Sequence, residues 1–281
     1  MKSSWMLVAS LLFAAMGICV KFASEYFTAI ELVFYRSLLG LIFIGVIISS
    51  RKESLATSHF RMHISRGLTG FASLALYFYA MTQLPVATAI TLNYTSSMFL
   101  ALITVLWYRE KVRLNLAMAI LLGFIGVIFL LKPTINQSQL PIGLLGLISG
   151  FFAAIAYLNV KQLSALNEPD WRVVFYFCLT STFLSGVIAS FYGFHAIDLH
   201  NVIWLLLIGI FATLAQLCLT RAYRVGQTLV VGALAYSTIV FSAIMGMAFL
   251  NEILSFWSWV GAIIIVTAGL LAAQASASTS D

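Results

Sequence analysis

The chain has 281 residues, of which 62% are hydrophobic and 9% are charged, whereas about a quarter of the residues of soluble globular proteins are charged. This composition, with a mean hydropathy of +1.04, excludes an ordinary soluble domain and indicates an integral membrane protein. The formal charge of +6 does not indicate nucleic-acid binding, because the basic residues lie mainly in short connections between apolar runs, where membrane topology accounts for them.

Ten apolar runs follow one another along the chain, and each is close to the length of about 20 residues with which a helix spans a bilayer. The runs cover residues 5–24, 28–49, 64–83, 86–107, 114–132, 141–160, 172–193, 201–220, 228–250 and 256–274. The connections between them are short, so no soluble domain is expected. We therefore predict an all-α integral membrane protein with ten transmembrane helices.

The stretch 79–110 recurs without a gap 142 positions later, at 221–252. Its polar residues carry the match: Tyr94 and Tyr236 are each followed by two hydroxyl residues, and Glu110 and Glu252 end the two copies. Shorter matches in the same order extend the duplication to the rest of both halves. We predict a first repeat at 1–134, a second repeat at 135–275 and a disordered cytoplasmic tail at 276–281.

The Lys and Arg residues predict the orientation, because they are enriched in cytoplasmic connections. With the N-terminus inside, twelve of the fifteen lie in such connections, Arg66 among them, so both termini are expected to be cytoplasmic. Five spans per repeat is an odd number, so the second repeat crosses the membrane in the opposite sense. We therefore expect a multi-pass protein of the inner (plasma) membrane with two inverted five-helix repeats.

Two halves related by an axis in the membrane plane can exchange between outward-open and inward-open states around one central site. We therefore expect a secondary transporter that moves a small organic metabolite, of the amino acid, vitamin or amphipathic class, by alternating access around a midplane cavity. The alternatives are a non-coupled channel or facilitator pore for small solutes, and a duplication without a transport role.

The expected partners are the small-molecule substrate and the lipid bilayer, and a homodimer is left open. An enzyme is not expected, because the sequence has no cluster of acids and histidines on a span face and no nucleophile motif. No cofactor, metal or nucleic acid is expected.

Three short motifs stand out: Trp-Tyr-Arg-Glu at 107–110, Phe-Leu-Asn-Glu at 249–252 and Val-Phe-Tyr-Arg at 33–36. They resemble the drug/metabolite transporter superfamily, in particular its ten-helix EamA type, and the last of them matches an arginine of that family's second helix. The resemblance covers essentially the whole chain and implies a two-repeat transporter. Members often carry a proline within the fourth and ninth helices, where Ser97 and Ile239 stand here, so a proline-based hinge is not expected. The small residues of the following helices add to the resemblance: Gly123, Gly126, Gly261 and Gly269.

Arg36 is the most informative single residue, because a charge within a membrane span costs at least ~2.5 kcal/mol unless it faces a cavity or a partner. Either it attracts an anionic group such as a carboxylate or lines a water-filled cavity, or it is a structural strut. Asn93 and Tyr94 also need partners near the midplane. The other candidate substrate-binding residues are polar or aromatic groups at similar depth: Tyr77, Tyr157, Asn159, Tyr176, Gln216 and Tyr236.

Rings with polar tips suit an aromatic or amphipathic solute and can hold a cation over a ring face; the competing interpretation is ordinary packing. We also expect the hydroxyl patches that begin at Tyr94 and Tyr236 to face each other near the pseudo-two-fold axis. Glu110 and Glu252 are expected to cap the following helix or anchor a turn. Because all four histidines are expected in loops (His59, His63, His195 and His200), the mode of coupling stays open between uniport, exchange and coupling through Glu31.

Overall fold

The computed structural model describes residues 4–52, 54–108, 118, 121–123, 125–126, 128–129, 139–226, 231, 234–253 and 255–277. Within them the chain is helical and contains no strand. The described helices, numbered here in chain order, are α1 (Trp5–Ala23), α2 (Ala29–Arg51), α3 (Phe60–Gln83), α4 (Val86–Tyr94), α5 (Ser96–Tyr108), α6 (Leu140–Ala165), α7 (Asp170–Tyr192), α8 (Val202–Val225), α9 (Ser237–Leu250) and α10 (Phe256–Ala277).

The all-helical fold class is thereby confirmed for the described residues, whereas the number of ten spans stays a prediction. Five described helices are long and apolar enough to cross a membrane, namely α1, α2, α6, α7 and α8, and α9 and α10 contain shorter apolar segments. The fifth sequence run, 114–132, falls largely outside the described residues. Large apolar side chains such as Phe183, which is 67% exposed, cover the outer surface, as a lipid-facing surface requires.

The run 86–107 is not one helix, because α4 ends at Tyr94 and α5 begins at Ser96. The Leu92 carbonyl oxygen at the break accepts the Thr95 amide at 3.3 Å and, more closely, the Thr95 hydroxyl at 2.6 Å, so a side chain reinforces the end of α4. Helix α6 approaches here so closely that a Cβ at Gly150 would lie 2.6 Å from Thr95 Oγ1. The fourth run is therefore broken without a proline.

The ninth run is interrupted in the same way. Residues 231, 234 and 235 are helical, Tyr236 forms a turn and α9 begins at Ser237. The Ser237 hydroxyl donates a 2.6 Å hydrogen bond to the carbonyl oxygen of Leu234, and both residues are the counterparts of Thr95 and Leu92 at the offset of 142. The two repeats thus share a broken helix and the side chain that caps the break.

The packing of the helices also has two-fold character. The most extensive contacts are those of α3 with α6 and of α1 with α8, and each pair joins the first span of one repeat to the third span of the other. Helix α2 packs against α7, and α4 packs against α9, so equivalent elements of the two repeats also meet directly. The core therefore lies between the repeats, along their mutual interface.

Candidate substrate cavity

A partly open cavity lies at this interface, with a volume of about 60 Å³ available to the centres of water molecules. One water needs roughly 10–15 Å³ by this measure, so the partly open cavity has room for about four to six waters or for an organic group of that size. Seven helices supply its walls, and both repeats contribute. The described lining residues are Phe13, Met16, Arg36, Arg66, Gly70, Ser73, Leu74, Tyr77, Asn93, Tyr94, Ala153, Ala156, Tyr157, Phe177 and Gln216.

Six of the nine candidate residues line this cavity together: Arg36, Tyr77, Asn93, Tyr94, Tyr157 and Gln216. The other three lie elsewhere. Asn159 donates a 3.0 Å hydrogen bond to Ser65 Oγ and joins α6 to α3. Tyr176 donates to the carbonyl oxygen of Leu55 at 2.9 Å, near the end of its helix, and Tyr236 is buried at the interruption before α9, outside the described lining.

Arg36 reaches the cavity from the second turn of α2 and is 4% exposed. Its guanidinium carbon lies 5.4 Å from the centroid of the Phe177 ring, and its buried Nε has no hydrogen-bond partner among the described residues. Among those same residues, Arg36 forms no ion pair. The geometry places it at a cavity wall with part of its donor capacity unused.

Arg66 is the main residue that sequence reasoning misplaces. The positive-inside rule predicts it in a cytoplasmic connection, but it lies in the second turn of α3, is 3% exposed and lines the cavity. Its guanidinium carbon lies 4.2 Å from the centroid of the Phe177 ring. The spacing of Arg66, Gly70, Ser73 and Tyr77 keeps them on one face of a helix, and this pattern is the signal that could have placed Arg66 beside Tyr77.

Asn93 fixes the polar edge of the cavity. Its Nδ2 donates to Ser149 Oγ at 3.0 Å and to Ser73 Oγ at 3.3 Å, so the amide just before the α4–α5 break joins α3, α4 and α6. The Tyr157 ring, which also lines the cavity, stacks on Tyr223 with centroids 5.7 Å apart. The cavity wall thus combines fixed amide and hydroxyl groups with aromatic rings.

The two hydroxyl patches meet as expected. The Thr238 hydroxyl at the start of α9 donates a 2.9 Å hydrogen bond to the Tyr94 hydroxyl at the end of α4. Because Thr238 belongs to the copy of the motif that begins at Tyr236, the bond joins the two breaks across the interface between repeats. Tyr94 therefore links the cavity to the broken helix of the opposite repeat.

One end of the helix assembly is held by the Glu168 cluster, which comprises Thr57, His59, His63, Glu168 and Arg172. Glu168 accepts hydrogen bonds from Thr57 Oγ1 at 2.5 Å and Arg172 Nη1 at 2.9 Å, while His59 Nδ1 lies 3.3 Å and His63 Nε2 3.5 Å from its oxygens. Burial by itself raises the pKa of Glu168, but the hydrogen bonds from Thr57, Arg172 and His59 lower it to about 2. His63 lies in α3 and is fully buried, so its expected place in a loop is wrong.

The opposite end of α2 is held by the Glu31 cluster, which comprises Thr28, Glu31 and His195. The Glu31 carboxylate accepts hydrogen bonds from the Thr28 amide at 2.8 Å and from its hydroxyl at 2.7 Å, and the Glu31 amide donates to Thr28 Oγ1 at 3.4 Å, which completes a capping box at the start of α2. The carboxylate also accepts the His195 amide at 2.6 Å, and His195 Nδ1 lies 2.9 Å away. The α7–α8 connection is thereby fastened to α2.

The two ends correspond under the repeat. Glu31 and Arg172 are 141 positions apart, and so are Ser54 and His195. Glu31 holds His195 in the α7–α8 connection, and Arg172 Nη2 donates a 2.7 Å hydrogen bond to the carbonyl oxygen of Ser54 in the α2–α3 connection. These two contacts, Glu31 with His195 and Arg172 with Ser54, are called the fastenings below. With 23 residues in α2, they lie about 35 Å apart along that helix.

Glu252 caps a helix, but a different one from that expected. Both of its carboxylate oxygens lie 3.0 Å from the Val86 amide at the start of α4. Glu252 therefore caps a helix of the other repeat and not the helix that follows it in sequence. A carboxylate at a helix N-terminus is stabilised by the unpaired amides there. Burial raises the pKa of Glu252, and the Val86 amide and Lys21 oppose the shift. Its counterpart Glu110 lies outside the described residues.

Comparison with known proteins gives the family. The model of the EamA-like transporter family matches residues 2–132 and again residues 140–273. A pseudopaline exporter of Pseudomonas aeruginosa is 31% identical over 93% of this chain and 92% of its own length. A riboflavin transporter of Vibrio cholerae is 29% identical over 93% of this chain and 89% of its own.

The fold is shared with a chain of a solved crystal structure, which aligns with a TM-score of 0.73 at 17% identity over 97% of this chain and 98% of that one. The relatives are metabolite transporters, so the prediction of a membrane-embedded transporter that is not an enzyme is confirmed. Because the family model matches both halves, the chain belongs to the EamA-like transporter family.

Proposed function

We propose that the protein is a secondary transporter that moves a small organic metabolite across the inner membrane by alternating access. The observation that carries the proposal is the cavity between the repeats, lined from both of them and lying between two corresponding fastenings at opposite ends of α2. The relatives supply the substrate class in outline, since their names give pseudopaline and riboflavin as transported compounds.

The broken helices support this assignment. In transporters built from inverted repeats, interrupted helices at corresponding positions of the two halves surround the substrate site. Here Asn93 and Tyr94, which immediately precede the first break, line the cavity, and Thr238, just after the second break, contacts Tyr94. A change at either break therefore reaches the cavity directly.

The proposed topology has ten transmembrane helices, with repeats at 1–134 and 135–275, a tail beginning after the second repeat, and both termini in the cytoplasm. Helix α10 extends to Ala277, so its last residues enter the predicted tail. Reporter fusions at the two termini test the orientation: both are expected to be active in cytoplasmic reporters only, and a periplasmic terminus would refute this topology. A homodimer stays a prediction.

Exchange in proteoliposomes tests the function. Vesicles containing purified protein are loaded with a mixture of amino acids, vitamins and organic acids, and the release of each compound is measured when the same compound is added outside. We expect saturable exchange of at least one compound, and equal exchange in the matched control Phe183→Ala, whose side chain faces outward. Conductance that does not saturate would instead indicate the channel or facilitator pore.

A further inference from the structure

We propose that Arg36 and Arg66 form an anion-binding subsite in the cavity, and that the transported metabolite is an organic anion with a carboxylate or phosphate group and an apolar or aromatic remainder. The proposal rests on the proposed function, because it takes the cavity as the substrate site. It adds the charge of the substrate and the two residues that recognise it.

The first observation is that both guanidiniums are buried but not neutralised. Arg36 is 4% and Arg66 3% exposed, and the ion pairs of the described residues include neither of them. Arg36 Nε and Arg66 Nε and Nη1 have no hydrogen-bond partner among those residues. Buried charges are normally paired because removing them from water is costly. Two unpaired cations at one cavity therefore indicate that an anion binds there.

The second observation is that the nearby acids are already engaged. Glu31 is occupied by His195 and by the cap of α2, and Glu168 is occupied by Arg172 and Thr57. Both belong to the fastenings at the ends of the assembly, and no carboxylate is among the described lining residues. The neutralising charge therefore has to come from the ligand.

The third observation is that the chain leaves space for Arg66 at this place. A Cβ at Gly70 would collide with Arg66 Nη1 and would lie 2.8 Å from Phe177 Cε2. Glycine at 70 therefore allows the guanidinium to lie between α3 and the Phe177 ring. Arginine stacks on aromatic rings through its planar face and binds carboxylate or phosphate through its N–H groups. The Phe177 ring thus holds both cations while their N–H donors remain available.

The aromatic residues of the cavity wall favour an apolar or aromatic group in the uncharged part of the ligand. Tyr77, Tyr94, Tyr157 and Phe13 line the cavity beside the arginines, and rings of this kind contact flat or apolar groups favourably. An inorganic anion alone would make no contact with the surfaces that these rings present to the cavity. The chemistry therefore fits an organic acid or an organic phosphate, with its charge toward Arg36 and Arg66.

Binding of matched probes to the purified protein tests the proposal. Cinnamate and phenyl phosphate supply the carboxylate and phosphate arms, and cinnamamide is the neutral control with the shape of cinnamate. Titration calorimetry in detergent is expected to show at least about tenfold tighter binding of one anion than of the amide, since charge-assisted hydrogen bonds are lost with the charge. The arm that binds identifies the anionic group. Equal affinity for acid and amide, or no binding of either anion at millimolar concentration, would overturn the proposal.

Variants assign the effect to the arginines. Arg66→Gln is expected to abolish the preference for the anion, Arg66→Lys to retain part of it, and Gly70→Ala to weaken it by displacing the guanidinium. Arg61→Gln is the matched control, because Arg61 is exposed on the same helix and its loss should leave the preference unchanged. If Arg66→Gln is poorly folded, the comparison of acid and amide on the unaltered protein and the Gly70→Ala variant still decide the question. A full preference in a folded Arg66→Gln or Gly70→Ala variant would overturn the assignment.

The failure of this inference differs from the failure of the proposed function. If proteoliposomes exchange neutral or cationic metabolites with saturation but bind no organic anion, the subsite is refuted and the transporter stands. If they exchange no metabolite at all, the proposed function itself is contradicted.

Discussion

Arg36 combines a buried position in α2 with a guanidinium that lies at the cavity wall and contacts the Phe177 ring. Arg36→Ala should reduce saturable exchange in proteoliposomes by at least about tenfold, because a charge-assisted contact to the substrate would be lost. The expression level and the thermal unfolding midpoint should change little, since the change removes a buried charge that has no described ion pair. Unaltered exchange at wild-type expression would show that Arg36 is a structural strut.

Glu168 determines how one end of the protein responds to acid. Its folded pKa of about 2 lies below its ordinary value of 4.5, so the stabilisation that it supplies is complete above pH 4.5 and is lost as the pH falls toward 2. Thermal unfolding in detergent is expected to show this loss for the wild type, and Glu168→Gln should be less stable at neutral pH and less sensitive to pH in this window. The same acid-induced loss in Glu168→Gln would show that other groups cause it.

The sequence singles out Arg36 but misplaces Arg66, Asn159 and Tyr176, and the reasons are physical. Arg36 is conspicuous because it lies inside an apolar run, whereas Arg66 lies six residues into α3, where the positive-inside rule places basic residues at the membrane surface. The sequence predicts Asn159 and Tyr176 at the depth of the cavity, but helix rotation and tilt, which depend on packing, direct their polar atoms to Ser65 and Leu55. Hydropathy does not contain that information.

The broken helices are the elements most closely tied to the cavity. At each break a hydroxyl, that of Thr95 or Ser237, donates a 2.6 Å hydrogen bond to the carbonyl oxygen three residues earlier. The repeat of the Tyr-hydroxyl motif makes this correspondence visible in the sequence, but nothing in the sequence predicts the interruption itself, because the run 86–107 contains no proline or glycine. Close approach of α6 at Gly150 is a tertiary feature that local sequence does not reveal.

Removing the capping hydroxyls should therefore destabilise the folded protein. Thr95→Val and Ser237→Ala should each lower the free energy of unfolding by about 1 kcal/mol, the usual contribution of such a hydrogen bond. Thermal or denaturant unfolding in detergent measures the effect. Thr69→Val is the matched control, because Thr69 donates to Ser65 within the uninterrupted helix α3. A loss for the control as large as for the two capping residues would contradict a special role of the breaks.

At the scale of the whole molecule, the two repeats enclose one cavity between two corresponding fastenings. Glu31 with His195 and Arg172 with Ser54 occupy equivalent positions at opposite ends of α2. The duplication is visible in the sequence and predicts that the hydroxyl patches beginning at Tyr94 and Tyr236 face each other, and the hydrogen bond from Thr238 to Tyr94 joins them. The fastenings could not be predicted from the duplication, because Glu31 and Arg172 differ in residue type although they occupy the same place in the repeat.

Side-resolved labelling of a cysteine in the cavity tests alternating access most directly. Ser73→Cys, at a described lining position, is introduced after the three native cysteines have been replaced by serine or alanine, and it is reacted in proteoliposomes with a membrane-impermeant thiol reagent added on one side at a time. Glu31→Gln should increase labelling from one side only, and Glu168→Gln should increase it from the other side only. Equal labelling from both sides in either variant would show a continuous pore and contradict alternating access.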